Sequence, residues 1–433
     1  MTKTKKGGRF WAALVIFSLV GQIAWVVENM YFNVFIYEMF NADPGQISLM
    51  VSASAVAATV TTLLIGALSD KLGKRKLFIC GGYILWGISI ACFALVRMDV
   101  ITAIVPATVS AATVGISLVI VLDCVMTFFG SSANDACFNA WLTDSTDDSN
   151  RGAAEGINAM MPLVAILAVF GGFMAFDLKS ASDWTAIFLI IGGVVLVIGI
   201  LGLFLIRETG VRTEEGNRYF ANLLYGFRPS VIRQNGTLYL CLVGFALFGI
   251  SIQIFMPYLI LYYTKALHMD DYVLIMAPAI VLAAVFTTLY GRVYDRIGFG
   301  ASLLPALGLL GVGYALLCLF TDTVGVFIGS LCMMCGYLGG SAVFGAVIRS
   351  RTPENKAGRF QGLRIIGQVL IPGLVGPAIS AFVLRNAETV TNSDGTVSFI
   401  PNTSIFVAAL IVAAVVAAFS LPVIARMKKE RTQ

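Results

Sequence analysis

GALSDKLGKRK, running from Gly66 to Lys76, interrupts two long apolar stretches and gathers Asp70, Lys71, Lys74, Arg75 and Lys76 into one short segment. Far downstream, GRVYDRIGFG from Gly291 to Gly300 repeats its pattern: Gly66, Asp70 and Gly73 match Gly291, Asp295 and Gly298 at one constant offset. A second echo pairs SNRGAAEG with NKAGRFQG, aligning Gly152 and Gly156 with Gly358 and Gly362. A chain that repeats itself over half its length reads as a duplication. The halves are expected at 1–206 and 237–433, joined by a polar linker over 207–236. In that linker Tyr219, Phe220, Leu223, Leu224 and Phe227 recur at helical spacing beside Arg218 and Arg228, which predicts a segment lying along a membrane surface.

Composition names the solvent. Apolar residues make up 58% of the chain, charged residues only 12%, and the mean hydropathy is +0.88, the balance of an integral membrane protein. A helical span needs about 20 mostly apolar residues. Twelve stretches meet that length, centred near residues 24, 57, 86, 121, 165, 194, 250, 281, 310, 334, 372 and 413. The expected fold is an all-α membrane protein of two six-helix halves. Closed barrels are excluded because the runs are continuous and do not alternate. With the amino terminus inside, every Lys and Arg except Arg97, Lys179, Lys265 and Arg385 falls on the cytoplasmic side. Both termini are therefore expected in the cytoplasm of a cell membrane. The net charge of +5 is an orientation signal and carries no nucleic-acid reading. The first apolar run follows Lys3, Lys5 and Lys6 and continues past Glu28 without a small-residue cleavage site, so it reads as a retained helix.

Soluble catalytic chemistry finds no place here. The eight cysteines fall inside apolar spans, which argues against a disulfide framework, and the Cys332/Cys335 pair in SLCMMCGYLGG reads as small apolar packing. His268 is the one histidine, too few for a zinc site of the usual kind. No nucleophile elbow, phosphate loop or paired catalytic carboxylates stands in a soluble segment, so an enzyme is not expected and neither is a cofactor. The remaining classes are a carrier and a sensing receptor.

The GALSDKLGKRK segment resembles the GxLxDxxGxRx signature of the major facilitator superfamily, with a degenerate second copy and twelve spans around it. The resemblance implies that Gly66, Asp70, Gly73 and Arg75, with Asp295 in the second half, gate the two halves. In physical terms the glycines permit a tight turn, and Asp70 can meet basic groups or a helix amino terminus. An anchor and turn with no moving part also accounts for the lysines. Within the superfamily the chain is similar to the glycoside and sugar cation symporters, the melibiose-permease-like and sucrose-transporter-like group. The similarity rests on Glu28, on NDACFNAWLTD from Asn134 to Asp144, and on GRFQGLRIIGQVLIPGLVGP from Gly358 to Pro377. It implies that Glu28 and Asp135 contact the sugar; as carboxylates buried in a membrane they are also the expected coupling residues. The span-two aspartates that hold sodium in that group have no counterpart between Met50 and Ile65. A proton is the expected coupling ion, with sodium as the alternative. Span five lacks the glycine-proline pair of drug exporters, which favours uptake over efflux.

The helical wheel selects the remaining candidates. Gln22, Trp25, Glu28, Asn29 and Asn33 fall within an arc of about 140° on span one, a polar face on an apolar helix. A carboxylate in mid-bilayer needs water or a partner, so this face is expected to line the pathway, with Trp25 and Phe32 offering flat surfaces to a sugar ring. A structural role for Glu28 in an interhelical hydrogen-bond network is the competing reading. On span four, Asp135 lies about 120° round from Asp123 on an ideal helix, so the two diverge unless the helix departs from ideal. Asp135 is the expected site residue, and Asp123 a solvated or packing one near the outer end. In the second half Gln253 takes the repeat position of Glu28. Tyr258 joins Gln253 only if Pro257 kinks the span, and otherwise packs. Gln368 and Arg364 stand one turn apart in span eleven, where Arg364 either pairs with an acid or snorkels to the surface. The reading is alternating access around spans one, four, seven and eleven, by a carrier working as a monomer in the bilayer on a small molecule, a sugar or glycoside favoured.

Overall fold

The computed structural model describes residues 7–106, 108–147, 150–208, 224–352, 362–392 and 395–432. Eleven of its helices are long and apolar enough to cross a membrane. Span one is Gly8–Phe40, span two Pro44–Leu72, span three Arg75–Leu95, span four Ala111–Ser145, span five Arg151–Phe173 and span six Ala181–Leu205. Span seven is Gly236–Ala266; Thr323–Arg351, Gly362–Leu384 and Ser404–Thr432 are spans ten, eleven and twelve.

Between them Tyr272–Leu319 runs for 48 residues without a coil break, about 72 Å if straight and far beyond a bilayer of about 45 Å. It is not straight. Gly298 has φ 77° and ψ −178°, outside any helix, and the Tyr290 hydroxyl donates to the carbonyl of Ser302, which a straight helix would hold about 18 Å away. The chain folds back at Gly298, and this one element supplies both span eight and span nine. The twelve expected spans are accounted for.

The chain divides into two compact units, residues 1–217 and 218–433. In the first, spans three and six approach so closely that a Cβ on Gly87 would stand 2.6 Å from the Gly192 carbonyl oxygen. Lipid tails leave apolar side chains little to gain by burial, so close backbone contact of this kind carries helix association in a membrane. Around it Phe32, Phe35, Phe93, Trp184 and Phe188 form one aromatic cluster, and Phe17, Tyr83, Phe138 and Trp141 another. The second unit is centred on Phe255, Tyr262, Tyr314 and Phe406.

Helix starts follow local chemistry. Asp43 and Gln46 exchange hydrogen bonds of 2.9 Å ahead of span two, with Pro44 at the first helical position, and Asp322 accepts from the Gly325 amide ahead of span ten. An antiparallel hairpin, β1 (Thr389–Thr391) with β2 (Val397–Phe399), joins spans eleven and twelve; the sequence reading assigned it no structure. The surface segment expected around Tyr219, Phe220 and Leu223 lies outside the described residues. From the linker the structure describes a short turn at Leu224–Phe227 and the helix Pro229–Gln234.

Among the described residues four stretches take up π-helical geometry: Val27–Tyr31, Ser131–Phe138, Tyr262–Ala266 and Ile366–Leu370. Each inserts extra chain into a turn and rotates the remainder of its helix about the axis. Glu28, Asn29, Asp135 and Gln368 all stand on such segments.

Candidate functional site

In the first unit the wide turn of span one carries the Glu28 side chain toward spans two and four. Its Oε1 accepts from the Ser54 hydroxyl at 2.6 Å and from the Thr127 hydroxyl at 2.9 Å, and these two oxygens are themselves 2.9 Å apart. Oε2 is buried with no hydrogen-bond partner. Glu28 is thus a member of an interhelical hydrogen-bond network, the competing reading of the sequence, with one carboxyl oxygen left over.

Asp123 is 1% exposed, so of the solvated and packing alternatives expected for it the solvated one is corrected. Its carboxyl faces Ser54 and lies within electrostatic reach of Glu28, and its Oδ1 has no hydrogen-bond partner. Asp135, half-buried, accepts from the Ser131 hydroxyl at 3.0 Å and also lies within electrostatic reach of Glu28. Spacing on an ideal wheel set the two aspartates about 120° apart. The π segment Ser131–Phe138, within which Asp135 lies, turns less per residue than an α-helix and so narrows that angle. Glu28 and Asp123 thus lie beside Ser54, whereas Asp135 stands about 18 Å further along span four, beside Ser131. No ion pair among the described residues reaches any of them.

The rest of the span-one face divides. Gln22 is half-buried, and Trp25 is half-buried with its ring 5.1 Å from that of Trp86. Asn29 is exposed and donates back to the Trp25 carbonyl at 2.7 Å, while Asn33 is fully buried and donates to the Asn29 carbonyl. Phe32 is 1% exposed between Phe93 and Phe188, which corrects its expected place beside a sugar ring. A polar group missed in the sequence is Tyr83, whose buried hydroxyl lies 2.8 Å from the Phe17 carbonyl and 3.1 Å from Asn134 Oδ1. Ser54 was missed too. Span two carries hydroxyls at Ser48, Ser52, Ser54, Thr59, Thr61 and Thr62, and nothing in the sequence singles out Ser54 among them.

At the other end of span two, Gly66 accepts from the Ser69 hydroxyl and Gly73 ends the helix at φ 63°. The side chain of Asp70 lies outside the described residues. Arg75, placed in the gating set by the resemblance, is 5% exposed and its Nε sits 2.5 Å from Asp144 Oδ2, the last residue of the NDACFNAWLTD stretch. This pair ties the start of span three to the end of span four. In the second unit Asp295 is exposed, and the repeat of Gly73, Gly298, likewise has positive φ.

In the second unit the candidates fall on spans seven and eleven. Gln253 is half-buried where spans seven and eleven cross, and a Cβ on Gly376 would meet its Cβ at 2.5 Å. The Pro257 turn at Met256–Tyr258 does break span seven, yet Tyr258 is fully buried and its ring meets Phe399 of β2 at 6.1 Å. Tyr258 thereby takes the packing role, which corrects its grouping with Gln253. Gln368 is half-buried on its π segment, and the Nε of Arg364 one turn away is buried without a hydrogen-bond partner. Among the described residues no group of three or more His, Cys, Asp or Glu is placed to hold a metal ion, and all eight cysteines are free.

A family model described as Major Facilitator Superfamily matches residues 11–377. No curated protein matches the chain significantly. Among solved structures, the nucleoside transporter NupG superposes with a TM-score of 0.70 at 14% identity, over 96% of this chain and 98% of that one. A bacterial homolog to the human lysosomal transporter Spinster, inward-facing and unoccupied, gives 0.70 at 14% identity over 97% and 98%. The xylose transporter XylE from E. coli gives 0.64 at 15% identity over 95% and 98%. At these identities the likeness is one of fold.

Proposed function

The chain belongs to the major facilitator superfamily and is a membrane transporter, not an enzyme; on that premise we propose that it takes up a sugar or glycoside together with a cation, by alternating access. The observation that carries this reading is Glu28, a buried carboxyl engaged on one oxygen only, with no basic side chain paired to it among the described residues. An uncompensated carboxylate in a membrane costs several kcal/mol, so charge balance calls for a mobile cation. Glu28 and Asp135 are its proposed carriers and the proton its proposed identity.

Cargo recognition is assigned to Gln22, Trp25, Asn29 and Asp135 in the first unit and to Gln253 and Gln368 in the second. Polar groups beside an indole suit a ring that has hydroxyls on its edge and an apolar face. Two of the similar structures are named as a nucleoside and a xylose transporter, a cargo chemistry in keeping with this one. The melibiose-permease-like group is the proposed subfamily, the cell membrane its proposed place, and the monomer its working unit.

The test is uptake into proteoliposomes of labelled monosaccharides, disaccharides, glucuronides and nucleosides, with proton and sodium gradients imposed separately. The expected result is accumulation of a saccharide or glycoside driven by the proton gradient. Extrusion of drugs or dyes with no accumulation of any panel member would replace this reading with a proton-coupled efflux carrier.

A further inference from the structure

We infer that Asp123 is a second carboxyl ligand of the coupled cation, which it shares with Glu28 across the Ser54 hydroxyl. The inference rests on the cation-coupled reading above and adds a residue that neither the sequence motifs nor the repeat selected.

Two observations carry it. First, Asp123 is among the most buried polar residues of the chain, at 1% exposure, and its Oδ1 has no hydrogen-bond partner. A buried acceptor left unmatched is costly, and an acid held this way inside a membrane marks an ion or proton path more often than a packing element. Second, the oxygens beside it lack positive charge. Glu28 Oε1, Ser54 Oγ and Thr127 Oγ1 stand within 2.9 Å of one another, so three contacts share the hydrogens of two hydroxyls, and Glu28 Oε2 is bare. Ser54 faces both carboxyls. The groups that face Asp123 are Glu28 from span one, Ser54 from span two and, along its own helix, Cys124; Asp135 faces Glu28 in turn. No Lys, Arg or His among the described residues supplies the balance.

An oxygen-only set of two carboxyls and two hydroxyls suits a small hard monovalent cation. A proton held between the carboxyls and a sodium ion coordinated by all four groups share that chemistry. Either way Glu28 and Asp123 share one positive charge, which leaves the pair with a single negative charge in place of two, and removing one carboxyl removes half of the cation's charge partner.

The experiment reads binding without cargo. The thermal stability of the purified full-length protein in detergent is followed across a pH series in choline chloride, and across a sodium chloride series at fixed pH against choline chloride of equal strength. Asp123→Asn, Glu28→Gln and Ser54→Ala are run beside the wild type. A wild-type response in the pH arm alone identifies the proton, and one in the sodium arm identifies sodium. Asp123→Asn is expected to flatten whichever response appears, or to weaken apparent cation affinity by about tenfold or more, the scale of one charge-assisted interaction. Ser54→Ala should weaken it less. A wild-type response that Asp123→Asn retains, or no wild-type response in either arm, would overturn the inference. Because no sugar enters the assay, a protein that accumulates glycosides while Asp123→Asn binds its cation normally loses this inference alone. One that binds the cation through Asp123 yet moves no glycoside loses only the cargo assignment.

Discussion

Glu28 shows what one residue can and cannot reveal by its type. An acid in the first apolar run announces itself, since nothing about crossing a bilayer asks for it. Replacing it by Gln keeps the two hydroxyl contacts and removes the charge. The expected outcome is loss of gradient-driven accumulation with cargo counterflow preserved, measured in the same proteoliposomes; undiminished accumulation would take Glu28 out of coupling. Arg75 teaches the opposite lesson. It sits beside Lys71, Lys74 and Lys76 in the sequence and is the one of these four that the fold buries, with side-chain exposures of 6% for Arg75 and 32% for its partner Asp144. Asp144→Ala removes the carboxylate 2.5 Å from that buried guanidinium and should lower stability by about 1–2 kcal/mol. Replacing both partners by Leu should recover most of the loss, since the desolvation of two charges then disappears as well. Denaturant titration in detergent reads both effects.

At the scale of the element, the informative features are interruptions. Spans are legible because twenty apolar residues in a row have few alternatives, and Asp43-Pro44 and Asp322 announce their helix starts. The π segments are not legible in this way. Nothing in SSANDACF distinguishes five-residue turns from ordinary ones, because the extra residue is held by what the helix packs against. This is why the ideal wheel separated Asp123 from Asp135 and set Asp123 aside. The repeated glycines lie between these cases: the sequence paired Gly73 with Gly298, and both have positive φ. Gly298 lies at ψ −178°, a region nearly closed to other residues, whereas Gly73 at ψ 18° is ordinary left-handed helix. Gly298→Ala should therefore cost more, up to about 3 kcal/mol, than Gly73→Ala at about 1–2 kcal/mol. Equal losses in thermal stability would contradict the backbone argument.

The whole molecule answers to the bilayer. The distribution of Lys and Arg predicts which ends of the spans face the cytoplasm, and this can be checked directly in a cysteine-free background. A cysteine at Lys179 should react with a membrane-impermeant maleimide in intact cells, whereas one at Lys429 should react only after permeabilisation. The reverse pattern would invert the orientation and, with it, the sense of uptake.

By itself the sequence determined the class, the number of spans, the duplication and the family, because each depends on patterns that recur along the chain and are imposed by hydrocarbon or by descent. It also marked Glu28 and Asp135, whose charge is anomalous in such a medium. Only the tertiary structure decided which polar residues meet. Asp123, Ser54 and Thr127 join Glu28, Phe32 and Tyr258 withdraw into aromatic packing, and Arg75 finds Asp144. The physical reason is that a contact between helices depends on the rotation of each about its axis. One extra residue in a turn changes that rotation by about 100° while leaving hydropathy untouched.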